Sequence, residues 1–106
     1  MNTLGGGTRQ PYRVDTSEAF ERAAKRFLRK HPELGTRLVT VRNALSVDPF
    51  APALRIHTLS GDLRGQWAAS LNYTYRIILT IDRESRVIRL EDLGSHEEVY
   101  GSGDDD

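Results

Sequence analysis

A chain of 106 residues without a cysteine has room for one modest core, and it excludes a disulfide framework, a thiolate metal site and a cysteine nucleophile. No run approaches the roughly 18 to 20 apolar residues of a membrane span, and MNTLGGGTRQ lacks the charged and apolar regions of a secretory signal, so a cytoplasmic protein with no membrane contact is expected. The net charge of zero hides a polarised chain: all 15 Lys and Arg lie between Arg9 and Arg89 with eight acids, whereas residues 90–106 hold seven acids and no base.

In chain order, residues 1–10 are Gly-rich and unpatterned and read as a disordered N-terminal tail. A single domain is expected over residues 11–100, followed by an acidic tail at residues 101–106. Pro11 to Asp15 suits an edge strand, with proline at the start where no N–H is needed. Thr16 or Ser17 offers a helix N-cap, and Glu18 and Glu21 complement the dipole of the first turn. Ala19, Phe20, Ala23, Ala24, Phe27 and Leu28 recur at helical spacing among Arg22, Lys25, Arg26 and Arg29, which predicts a basic amphipathic helix over residues 17–30.

His31-Pro32 breaks that helix, and Pro32 can open another as its first residue. Leu34, Leu38, Val41 and Leu45 then form an apolar stripe, so a helical hairpin is expected. Ser46 to Ala53, with two prolines, reads as a loop. From Gly65 the period changes to two: Trp67, Ala69 and Leu71 alternate in one run, and Tyr75, Ile77, Leu79 and Ile81 in the next. Asp82 to Ser85 is a polar turn, and Val87 to Leu93 is a third strand. The predicted fold is α+β: an N-terminal strand and a helical hairpin packed on a small antiparallel sheet, with Trp67 in the core.

Thirteen of the 15 bases are Arg, whose planar fork suits an anionic partner. Of the three histidines, His31 sits at the helix break and reads as structural or solvent-exposed. His96 follows Gly94-Ser95 beyond the last strand, where loop-borne polar residues are often functional, although a lone His there is more often a surface residue, ion-paired to Glu97 and Glu98. His57 is either functional or a partly buried strand-edge residue. Arg76 points away from Tyr75 and Ile77 and would face a phosphate or simply solvent. Arg64 lies in a turn between Gly61 and Gly65, where backbone N–H groups can also approach a phosphate. Tyr100 either stacks on a base or closes the core. No phosphate loop, dinucleotide fingerprint, zinc motif or nucleophile elbow is present, and no metal or cofactor is implied.

The pattern L-S-G-x-L-R-G-x-W, then Y-x-Y-R-I-I, then L-x-D-x-G-S-H-E-E-V-Y resembles the RelE/YafQ-type toxins of bacterial type II toxin–antitoxin systems. The resemblance covers about Leu54 to Tyr100, and the preceding strand and helices fit the same architecture. It implies a small endoribonuclease that cleaves mRNA, on the ribosome, by metal-free acid/base chemistry, held in a hetero-oligomer by a cognate antitoxin. On that resemblance His96 would protonate the leaving oxygen, His57 would take the 2′-OH proton, Arg64 and Arg76 would stabilise the phosphate, and Tyr100 would orient substrate. The acid and base roles could be exchanged. Where YafQ-like members carry a further His and an Asp, this chain has Ser70-Leu71-Asn72-Tyr73-Thr74, and RelE-like members use a larger Lys/Arg cluster. The reduced set leaves open an alternative: a non-catalytic or weakly active member that acts by protein binding, as an antitoxin complex or by ParE-like inhibition of gyrase.

Overall fold

Ser17 starts the first helix: its backbone is extended (φ −83°, ψ 163°) and its hydroxyl accepts the Phe20 N–H at 3.0 Å. The computed structural model, which describes residues 10–100, runs from this cap with few departures from the periodicities of the sequence. Strand β1 (Arg13–Thr16) leads into α1 (Glu18–Lys30), which ends when the His31 N–H bonds the Phe27 carbonyl. Pro32 opens not an α-helix but a 3₁₀ turn, Pro32–Leu34, and α2 (Gly35–Val47) follows. A second 3₁₀ turn, Pro52–Leu54, precedes β2 (His57–Thr58), and a third, Gly61–Leu63, precedes β3 (Trp67–Ser70). β4 (Tyr75–Asp82), β5 (Val87–Ser95) and the short α3 (His96–Tyr100) complete the order. Most of the expected N-terminal tail and all of the acidic tail lie outside the described residues.

The sheet has five strands in the order β1-β5-β4-β3-β2. β1 holds an edge as expected, but it pairs parallel to β5, Arg13 with Val87 through Thr16 with Leu90, so the sheet is antiparallel only over its other four strands. The opposite edge is β2, two residues long, which is too short to leave an alternating pattern in sequence. β4 and β5 pair with a bulge: Ile78 faces Asp92 but Leu79 faces Leu90, leaving Glu91 as the extra residue. This explains the uneven spacing of Ile88, Leu90 and Leu93, since all three join the same core despite the three-residue gap between the last two.

That core lies between the sheet and the two long helices. Phe20, Ala23 and Phe27 of α1 and Val41 and Leu45 of α2 meet Ala69, Ile77, Leu79, Ile88, Leu90 and Leu93 of the sheet and Leu71 just after β3. Each fully buried aliphatic here, such as Leu45, Ile77 or Leu79, contributes about 1.5 to 3 kcal/mol relative to exposure. The other face carries a smaller cluster, Leu59, Ala68 and Ile78, onto which α3 lowers Val99. Trp67, expected in the core, is half-buried and packs against the core's margin, with its ring edge-on to Phe50 at 5.5 Å and the Arg83 guanidinium capping Phe50 at 4.6 Å. The trio closes one end of the sheet.

Candidate functional site

Strand pairing sets two rows on the face opposite α1 and α2. His57 is paired with Ala68, Ala68 with Ile78, and Ile78 with Asp92; one row further, Ser70 is paired with Arg76 and Arg76 with Gly94. Alternation therefore puts His57 and Arg76 on one face, in adjacent rows. His57 is half-buried, and its Nδ1 lies 3.3 Å from the Arg55 carbonyl oxygen. A carbonyl only accepts, so this contact favours the tautomer with its hydrogen on Nδ1. Arg55 itself stands at φ 51°, ψ 43°, a left-handed conformation that turns the chain into β2.

Arg76 points to that face but is first a structural clamp. Its Nη1 donates to the carbonyls of Asn72 at 2.9 Å, Tyr73 at 3.1 Å and Tyr75 at 3.2 Å, closing the β3–β4 hairpin. The same hairpin is held by the Asn72 carboxamide oxygen, which accepts the Thr74 and Tyr75 N–H groups, and by Arg37 of α2, whose Nε donates to the Leu71 carbonyl at 2.7 Å. The guanidinium is thus anchored through one terminal nitrogen, with Nε and Nη2 outside that clamp.

His96 belongs to this same end of the sheet, because Ser95 pairs with Tyr75 and Gly94 with Arg76. The flexible Gly94-Ser95 lead expected from the sequence is not what precedes it: both residues are in β5, and Gly94 is buried. His96 is the exposed first residue of α3, fixed by the strand before it and by the buried Val99 three residues on. The Tyr100 side chain lies outside the described residues.

Arg64 does not join this group. It is exposed, its N–H closes the 3₁₀ turn on Gly61, and Gly61 and Gly65 hold positive φ of 65° and 93°. A Cβ at Gly65 would meet nothing within 4 Å, so the backbone conformation alone favours glycine there. Arg64 precedes the Trp67 end of β3, whereas Arg76 pairs with Ser70 at the other end. Three strand steps separate those ends, about 10 Å, so the two arginines do not converge.

His31, which the sequence read as structural or solvent-exposed, is packed between Phe27 and Tyr75 and also walls a cleft. His31 Nε2 lies 3.0 Å from the Tyr75 hydroxyl and Nδ1 3.5 Å from the Glu33 carboxylate. Its ring packs 5.0 Å from Phe27 and 5.1 Å from Tyr75, with Phe27 and Tyr75 edge-on at 4.9 Å. No local signal announces this, since His31 and Tyr75 meet only through the packing of α1 on β4.

A parallel N-terminal strand, two helices on one face of a five-stranded sheet and a short helix on the other make up a fold that this chain shares with solved toxin structures. No protein-family model matches the sequence, and no curated protein matches it. Among solved structures, the chain is similar to YafQ from E. coli strain BL21(DE3), with a TM-score of 0.71 and 17% identity over 85% of this chain and 99% of that one. It is also similar to YafQ in the E. coli DinJ–YafQ toxin–antitoxin complex (TM-score 0.70, 17% identity, 86% and 99% covered). The RelBE2 toxin–antitoxin complex from Mycobacterium tuberculosis gives 0.64 and 24% over 80% and 98%. The YafQ-like fold expected from the sequence motifs is the fold observed.

Proposed function

We propose that this protein is the toxin of a type II toxin–antitoxin pair and an endoribonuclease that cuts mRNA, on the ribosome in the cytoplasm, without a metal. The observation that carries this reading is that strand pairing puts His57 and Arg76 on the sheet face that α1 and α2 leave uncovered, with His96 directly after the strand that pairs with Arg76. Cleavage proceeds with His57 Nε2 taking the ribose 2′-OH proton as the 2′-oxygen attacks phosphorus. His96 then protonates the departing 5′-oxygen, leaving a 2′,3′-cyclic phosphate and a 5′-hydroxyl. Arg76, held rigid by its hairpin clamp, meets the charge that builds on the phosphoryl oxygens. Tyr100 orients substrate, and Arg64, at the far end of β3, contacts a more distant phosphate. The partner is an acidic antitoxin matched to the basic body of the chain, a reading supported by the two complexes whose toxins share this fold.

The second reading, a toxin that acts by protein contact alone, draws on Arg76 Nη1 being occupied by three carbonyls and on Ala68 and Ser70 standing in the rows beside His57 and Arg76. One experiment separates the two. His96→Ala is expected to fold normally, bind the antitoxin and lose about 10² to 10⁴ in cleavage rate, with mapped mRNA ends vanishing from induced cells. Full toxicity of His96→Ala at equal expression would pass the case to the protein-contact reading, which a gyrase supercoiling assay then examines.

A further inference from the structure

β1 pairs with β5 only from Val87 to Leu90, so from Asp92 onward that side of β5 faces the C-terminal half of α1. A cleft of about 400 Å³ runs along this stretch, within the size range of small-ligand sites. One wall carries Arg26 and Lys30, a helical turn apart and both exposed; neither forms an ion pair among the described residues. Another carries the coupled His31 and Tyr75 rings, and Asp92 and Ser95 of β5 supply a carboxylate and a hydroxyl. Asp92 Oδ1 accepts the Leu93 N–H at 2.8 Å, which turns the carboxylate along the strand edge.

Cations in the last turns of a helix are common, because they complement its dipole. Here they belong to a concavity whose chemistry is mixed. A purely anionic ligand would meet the Asp92 charge, and an apolar one would strand Arg26 and Lys30. A nucleotide satisfies both walls: its phosphate takes the cations, its amino and hydroxyl donors take the carboxylate, and its base lies against aromatic rings. We propose that this cleft binds one nucleotide, with the phosphate on Arg26 and Lys30, the base against His31 and Tyr75, and a base or ribose donor on Asp92. Resting on the RNA-cutting reading, the nucleotide is one of the strand being cut. Ser95 lines the cleft and His96 follows it directly, so a strand seated there continues past His96.

The test measures binding of three probes to the full chain: an uncleavable 2′-O-methyl hexanucleotide, AMP and hexaglutamate. In the Arg26→Ala/Lys30→Ala variant the hexanucleotide dissociation constant should rise at least about tenfold. Its log–log salt slope should flatten by about 1.4, roughly 0.7 per lost phosphate contact, while the melting temperature holds. AMP bound as tightly as the hexanucleotide, and lost in the same variant, supports the site with a free nucleotide as occupant; weak AMP supports the strand. Unchanged hexanucleotide affinity and slope overturn the proposal, as does tighter binding of hexaglutamate than of the hexanucleotide. If RNA is cut but the variant binds normally, the cleft fails and the cleavage reading survives. If nothing is cut but binding depends on Arg26 and Lys30, the outcome is reversed.

Discussion

On β4, Ile77, Leu79 and Ile81 look into α1 and α2, while Arg76, Ile78 and Thr80 look the other way, and the two sets meet different demands. From Ile77 to Ile81 the first face is packed against the helices, and only at its Tyr75 end does it open onto the cleft beside α1. The second is covered only where α3 brings Val99 onto Ile78, Ala68 and Leu59, and the ionisable residues stand around that small patch. Neighbours along one strand therefore serve stability and chemistry in alternation. A substitution's effect is set by its parity as much as by its depth.

The sharpest way to break this comparison is Leu79→Ala, which empties a site with no exposure at the centre of the large core. It should cost about 3 to 5 kcal/mol in urea denaturation, whereas Thr80→Ala beside it should stay within about 1 kcal/mol. Equal losses at the two positions would show that both faces are structural. Val99→Ala comes next, at about 1 to 2 kcal/mol. Because Val99 anchors the helix that begins with His96, RNA cleavage should fall by more than the stability loss explains; parallel melting and cleavage assays decide this.

Ser17→Ala should cost about 1 kcal/mol, since the hydroxyl caps α1 and also donates to the carbonyl of the bulge residue Glu91 at 3.3 Å. Thermal melting reads that loss, and cleavage per folded molecule should not change. The smallest effect is at the β4–β5 turn. Hydrogen bonds from the Ser85 N–H and hydroxyl and the Glu84 N–H hold the Asp82 carboxyl below its usual range. Its folded pKa is the lower one, so the carboxylate steadies the turn above the ordinary carboxylate pKa and ceases to as pH falls through the depressed value. Asp82→Asn should thus remove a slight acid-side slope from a stability-against-pH curve and leave neutral pH little altered.

Much of the fold was legible because its signals are local. The α1 stripe, the Ser17 cap and the strict alternation from Tyr75 to Ile81 each depend on neighbours within a few residues. What escaped depends on distant partners: the parallel register of β1, the two-residue β2, the Glu91 bulge and the seating of His31 against Tyr75. The candidate site divides the same way. Alternation fixes the direction of Arg76, but only the β3 register reveals that Arg64 lies at the opposite end from it. Gly94-Ser95 misled as a loop, because a glycine opposite Arg76 inside a strand has the same letters as a hinge.

The parallel pairing of β1 with β5 also dictates an order of assembly. Arg13 cannot find Val87, nor can the Arg86 guanidinium reach the Gln10 carbonyl and the Tyr12 ring, until nearly the whole domain has been synthesised. The helical hairpin and the β3–β4 hairpin need only near neighbours and form early, whereas joining the first strand to the last closes the longest loop in the molecule. During translation the N-terminal strand waits unpaired while the rest emerges. Whatever engages the growing chain in that interval meets a protein whose sheet still lacks one edge.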